Sequence, residues 1–322
     1  MRSDDNSVPE TKPVSYKRVL VILNPSSGQH SEEETRGLIE DRFQHAGLQY
    51  EIRTTQGEGD ALEWAKAAEQ DGFDIVAVAG GDGTIMEAMS GLIDAKSNIP
   101  LAQIPAGTAN LLARALAIPA DVEQSLEILF SGREERLDVG YLPDQKRYFA
   151  LMAGCGYDAQ LIGDATRELK NVLGFGAYVV TGFTNLFRLR RSRIELTVDG
   201  RTERFRANTV MIVNVGEIAN LGIKLGENIH PHDGKLDVII ATPASVLGAL
   251  GVLFRILTGR FKGHSDLRYL RVERVSIVAR PPLATQVDGE ALGETPLNIE
   301  TVPKGALLLV PAEYKVAAEQ QS

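Results

Sequence analysis

Ile75-Val76-Ala77-Val78-Ala79-Gly80-Gly81-Asp82-Gly83-Thr84 decides how the chain folds. Five small or β-branched apolar residues in a row read as a strand buried on both faces. Three glycines within four positions stop it, and Ile85-Met86-Glu87-Ala88-Met89 resumes with helical character. A strand that breaks on glycines into a helix gathers unpaired backbone N–H groups, an arrangement that binds phosphate. Asp82 would repel a bare phosphate, so it fits a divalent cation or a magnesium nucleotide, with Thr84 adding a hydroxyl. Taken alone, such a turn is equally an ordinary α/β connection.

Outward from this stretch, strand and helix alternate. Residues 18–23 read as a strand ending in Asn24-Pro25-Ser26-Ser27-Gly28, and residues 32–45 as a helix, with Ser31 and Glu34 resembling a capping box. Residues 48–55 and 99–104 read as strands, residues 60–70 and 111–116 as helices, and residues 121–130 as a helix capped by Asp121. The pattern predicts a Rossmann-like parallel sheet whose ligands lie beyond the carboxyl ends of its strands. Three of those ends carry unusual loops, at residues 24–28, 80–84 and 105–110 (Pro-Ala-Gly-Thr-Ala-Asn), and all three emerge on one edge. None has the Gly-Lys-Ser/Thr of a P-loop or the Gly-x-Gly-x-x-Gly of a dinucleotide fold.

After Gly132 the texture changes. Residues 136–142, 147–153, 194–198, 205–215, 236–241, 267–272, 274–279, 285–287, 297–301 and 307–310 read as strands. Residues 158–169 and 175–189 read as helices, and Asp199-Gly200 as a hairpin turn. This predicts an antiparallel β-sandwich, so the fold class is α/β plus all-β. Residues 1–17 form a loose tail, residues 18–140 the nucleotide domain, and residues 141–304 the sandwich, with residues 305–316 returning to complete the first domain. Two carboxylate turns stand out in the second half, His230-Pro231-His232-Asp233-Gly234-Lys235 and Asp288-Gly289-Glu290. Each is either a plain Asp-Gly turn or a working site, one holding a cation and the other removing a proton from a substrate hydroxyl. A zinc site at His230 and His232 is disfavoured, because the chain has one cysteine and no helical His-x-x-x-His.

Composition narrows the classes. The 322 residues are 43% hydrophobic and 24% charged, enough for two globular domains. A net charge of −9 argues against general nucleic-acid binding. The lone Cys155 fits a reducing compartment, and the polar N-terminus has no apolar core of a signal peptide, so a cytoplasmic location is expected. The longest apolar run, residues 246–257, is broken by Arg255 and too short to span a bilayer.

Gly80-Gly81-Asp82-Gly83-Thr84 followed by Pro105-Ala106-Gly107-Thr108-Ala109-Asn110-Leu111-Leu112-Ala113-Arg114 resembles the diacylglycerol kinase catalytic-domain superfamily, and within it the soluble bacterial lipid kinases. Asn24-Pro25-x-x-Gly28, Gly154-x-Gly156-x-Asp158, Asp233-Gly234-x-Leu236 and Asp288-Gly289-Glu290 recur in family order, so the resemblance runs from about residue 18 to 312. GGDGT alone is shared with NAD kinases and phosphofructokinases. The resemblance implies ATP and Mg2+ as cofactors, a lipid hydroxyl as acceptor, and an active site between the two domains. It assigns Asn24, Thr55, Gly80, Gly81, Asp82, Gly83, Thr84, Ile85, Met86, Gly107 and Thr108 to the nucleotide, with Asp82 also positioning magnesium. Glu290 matches the general base, and Asp233 a structural magnesium ligand helped by the carbonyls of His230 and Lys235. Two positions depart from the pattern: Leu111 stands where many members have Asp, and His230-Pro231-His232 where small or apolar residues are usual.

Rival readings are an NAD kinase-like enzyme with a soluble substrate, a non-catalytic nucleotide-binding regulator, and a structural protein. A lipid substrate also requires peripheral contact with a membrane. Phe183, Leu186, Phe187 and Leu189 interleave with Arg188, Arg190, Arg191 and Arg193, and residues 246–257 precede Arg260, Lys262 and His264. Such segments read as interfacial helices or equally as core helices with solvated basic ends. The resemblance is compatible with a homodimer.

Overall fold

The computed structural model describes residues 16–26, 31–156, 191–218, 223–224, 229–258 and 265–315. Ser27, Gly28, Asp158 and the helices expected over 158–169 and 175–189 lie outside the described residues.

The glycine-broken stretch folds as its composition dictates. β1 (Arg18–Leu23), β2 (Gln49–Thr54), β3 (Ile75–Gly80) and β4 (Leu101–Pro105) form a parallel sheet in the order β2-β1-β3-β4. Every residue of β3 is buried, as an unbroken apolar run between two helical layers requires. The helices are α1 (Glu32–Ala46), α2 (Asp60–Ala68), α3 (Asp82–Asp94), α4 (Leu111–Ala115) and α5 (Val122–Ser131). Ser31 caps α1 by accepting from Glu34 N at 3.2 Å, and Asp121 caps α5 by accepting from Gln124 N at 2.9 Å. From β1 the chain moves to β2 on one flank and then to β3 on the other. The strand order therefore reverses between β1 and β3, which opens a crevice above their carboxyl ends.

The second half is a sandwich. One sheet runs β14 (Leu267–Val272), β13 (Leu236–Ala241), β10 (Thr209–Val213), β7 (Met152–Cys155), β16 (Ala284–Val287), β17 (Glu290–Glu294), antiparallel throughout. The facing layer holds β8 (Ser192–Val198), β9 (Arg201–Ala207), β15 (Arg274–Arg280), β5 (Arg133–Leu142), β6 (Arg147–Phe149) and β18 (Leu297–Val310). Phe149, Ile194, Val210, Ile212, Ile240 and Ile277 fill the space between them. A short ribbon, β11 (Glu217–Ile218) with β12 (Ile223–Lys224), lies apart, and α6 (Val246–Thr258) links β13 to β14.

β18 belongs to both halves. Its first residues pair with β15 in the sandwich, and Leu308 pairs in parallel with Leu101 of β4. One ten-stranded sheet thus runs through the molecule. The expected boundaries near residues 140 and 304 both fall inside strands, β5 and β18, which pair with each other along most of their length. Residues 297–301 and 307–310, read as two strands, are one strand interrupted by a bulge between Val302 and Ala306. The buried Asp138 carboxylate fills that bulge, accepting from Lys304 N and from Gly234 N at 2.7 Å each. Residues 205–215, read as one strand, divide at Asn208 into β9 and β10, which lie in different sheets. Residues 147–153 likewise divide into β6 and β7.

Candidate active site

Three strand ends converge above the β1/β3 crevice. Asn24 N donates to Ala79 O at 2.9 Å, Thr55 N to Leu23 O at 2.8 Å, and Ala106 N to Gly80 O at 3.1 Å. Asn24 Nδ2 then donates to Thr84 Oγ1 at 2.7 Å, joining the first loop to the first turn of α3. The second and third loops touch backbone to backbone. A Cβ on Gly107 would lie 2.6 Å from Gly81 Cα, so only glycine permits this approach. Asn110, in the left-handed conformation at φ 47°, closes the third loop by accepting from Gly107 N at 3.0 Å and donating to Gly107 O at 2.8 Å.

α3 begins at Asp82 without a capping side chain, whereas α1 and α5 both have one. Its first-turn N–H groups have no intrahelical acceptor and carry the positive end of the helix dipole. The side chains of Thr84 and Ile85 are buried, so Ile85 offers an approaching ligand its main chain only, while Gly83 and Thr108 are exposed. Gly80 is buried, and Gly81, Met86 and Gly107 are half-buried around the same turn. Asp82 Oδ1 accepts from Leu112 N at 3.2 Å, so its carboxylate also caps α4. Burial pushes the Asp82 carboxyl above its ordinary value, against the opposing pull of the amides of Asn110, Leu111 and Leu112.

The sandwich supplies the opposite wall through the β16–β17 turn. Glu290 Oε1 lies 3.9 Å from where a Cβ on Gly83 would stand, so the predicted base faces the glycine turn. Its carboxylate is ion-paired with Arg147 of β6, a partner that sequence reading does not single out. Two residues earlier, Asp288 accepts from the backbone N–H groups of Ala150, Leu151 and Met152 at 2.9–3.0 Å. Burial moves the Asp288 carboxyl from 3.8 up to about 6, with the Asp82 charge acting in the same direction and the three amides against it. A carboxyl raised in the folded state binds its proton more tightly there than in the unfolded chain. Its contribution is therefore fully present below about pH 4 and is lost as pH rises through about 6. Urea titrations should show the stability difference between the wild type and Asp288→Asn shifting against the wild type over that window and flat above it. A pH-independent difference would contradict the assignment.

The 230–235 turn docks on β5 and β18 through the Asp138 contact described above. Asp233, the expected magnesium ligand, is ion-paired with Arg271 and accepts from Lys235 N at 3.0 Å. His232 Nε2 lies 2.9 Å from Glu135 Oε1, off-line for a hydrogen bond, and His230 is half-buried. Among the described residues no group of three or more His, Cys, Asp or Glu side chains gathers to hold a metal. Arg271 engages one side of the Asp233 carboxylate, and the main-chain carbonyls of His230 and Lys235, the other expected ligands, lie at the same turn.

A hydrogen-bonded chain nevertheless runs from this turn to the cleft. Gly234 N donates to Asp138, and Asn214 Nδ2 donates to Asp138 O and to Ala150 O at 2.7 Å each. Ala150 N in turn donates to Asp288. Asp138, Asn214 and Arg147 are all absent from the sequence-derived list. Their only local signal is a polar residue within or beside an apolar strand.

Residues 18–142 match the family model described as the diacylglycerol kinase catalytic domain, and residues 152–310 match the YegS C-terminal NAD kinase beta sandwich-like domain. A diacylglycerol kinase of Bacillus subtilis is 29% identical over 298 residues, 92% of this chain and 97% of the relative. One of Staphylococcus saprophyticus is 27% identical over 300 residues, 93% of this chain and 97% of the relative. A crystal structure from Bacillus anthracis, described as a candidate diacylglycerol kinase, superposes with a TM-score of 0.80 at 23% identity. It covers 94% of this chain and 100% of that one, a likeness of fold.

Proposed function

Because the chain belongs to the diacylglycerol kinase catalytic-domain family, we propose that it transfers the γ-phosphoryl group of ATP to the hydroxyl of a lipid. The single observation that carries this reading is the approach of Glu290 to Gly83 from the opposite wall of the cleft. The α3 first-turn amides hold the phosphates, and Asn24 orients the Thr84 hydroxyl toward them. Glu290 accepts the proton of the attacking hydroxyl. The Arg147–Glu290 pair is solvent-reached, at 35% and 57% side-chain exposure, so it adds little stability. Its use is chemical: the guanidinium counters the charge gathering on the transferred group, as phosphoryl transfer demands.

Magnesium, when it accompanies ATP, neutralises phosphate charge. Asp82 is the carboxylate that would face it, because it opens α3 at the glycine turn where the phosphates are proposed to sit. The names of the relatives favour diacylglycerol or a similar hydroxyl lipid as acceptor, and a cytoplasmic protein would meet such a lipid at the inner membrane face. The sandwich match, beside the shared glycine turn, supports an NAD kinase-like reaction as the second reading. Thin-layer separation after incubation with labelled ATP and diacylglycerol, phosphatidylglycerol, sphingosine or NAD tests both. Label in a lipid is the expected result, and label in NAD alone would replace the lipid reading.

A further inference from the structure

α6 is apolar on two faces. Ala249 and Val252 on its inner side are fully buried, yet Leu247 is 80% exposed, Phe254 61%, Val246 53% and Leu250 49%. These four are the large hydrophobic side chains that stand exposed among the described residues, and they belong to a single helix of 13 residues. Leu247, Leu250 and Phe254 follow the i, i+3, i+7 spacing of one helical face. A surface helix normally turns polar side chains outward, so a second apolar face needs a second apolar phase.

The charge around the helix identifies that phase. From Thr242 to Ser265 the sequence has no Asp or Glu but carries Arg255, Arg260, Lys262 and His264, in a chain whose net charge is −9. A carboxylate beside the helix, that of Asp266, lies next to Gly248. No helix among the described residues is long and apolar enough to cross a membrane, so contact through α6 is with the surface layer. A twofold pairing of α6 with a second copy would add like charge to this cation-rich stretch of sequence, whereas an anionic lipid surface complements it.

We propose that the Leu247–Leu250–Phe254 face of α6 is the membrane-docking surface, inserted at the headgroup boundary of an anionic bilayer. The proposal rests on the lipid-kinase reading for its purpose but not for its test. The full chain is sedimented with vesicles of phosphatidylcholine alone or with about one-third phosphatidylglycerol. Binding to the anionic vesicles is expected, with at least about a tenfold loss of affinity in Leu247→Glu. Because Leu247 is mostly exposed, the fold tolerates the change, and circular dichroism checks it. A Leu247→Trp variant locates the contact, since brominated lipid should quench its fluorescence well beyond that of the wild type, whose one tryptophan is Trp64. Unchanged vesicle binding in Leu247→Glu, or no added quenching, would overturn the proposal. So would a dimer that dissociates in Leu247→Glu without any vesicle binding. Leu247→Glu should keep wild-type activity on detergent-dispersed lipid. If the wild type docks through α6 but phosphorylates no lipid in either form, the docking surface stands and the lipid-kinase reading falls.

Discussion

Glu290→Gln should lower turnover by roughly two to four orders of magnitude while nucleotide affinity stays unchanged. The amide is nearly isosteric and cannot take a proton. The nucleotide contacts proposed above lie on the other wall, at the first turn of α3. The ion pair with Arg147 would weaken, but a solvent-reached pair of this kind is worth about 1 kcal/mol or less, too little to disturb the fold. Stopped-flow binding of a fluorescent ATP analogue, set beside steady-state turnover, separates the two effects. Turnover within a few-fold of wild type would remove Glu290 as the base. An equal loss in binding and turnover would move it to a positioning role.

The largest effect on stability belongs to Asp138→Ala. Its carboxylate is fully buried and accepts two backbone N–H groups, those of Gly234 and Lys304, each at 2.7 Å. Hydrogen bonds to a charged group contribute about 1.5–3 kcal/mol each, and truncation would leave both donors without their acceptor. A loss of about 3–5 kcal/mol is therefore expected in urea unfolding, several times an average substitution. Asp138→Asn, which keeps one acceptor oxygen, should lose roughly half as much. A loss under about 1 kcal/mol for the alanine variant would mean that the bulge and the turn hold themselves.

Much of this molecule is legible from neighbouring residues alone. The Ile75–Ala79 run and its three glycines specify a strand, a stop and a helix start, and the structure extends the strand by one residue to Gly80. Ser31, Asp121 and the Asp199-Gly200 turn each act within a few residues, and each is found where its local chemistry puts it. What fails is whatever depends on distant partners. Pro303-Lys304-Gly305 looks like a loop between two strands, because the side chain that holds it as a bulge is Asp138. Residues 205–215 are uniformly strand-like, and nothing local says that the two sides of Asn208 pair in different sheets. Asp233-Gly234 is legible as a turn, but the arginine that pairs with Asp233 lies on β14 and nothing local announces it. Glu290 is legible as a turn carboxylate, but Arg147 beside it is 143 positions away in the chain.

The sharing of β18 sets an order on biosynthesis. The ribosome releases β1 through β4 early, yet the neighbour that Leu101 requires is Leu308. Domain-by-domain folding, the usual protection of a long nascent chain, is thus denied to the first lobe. Until the distal strand emerges, β4 presents an unpaired edge that foreign strands can join. The nucleotide binding proposed for this lobe would consequently arrive late in synthesis, and the interval before it is when chaperone cover would matter most.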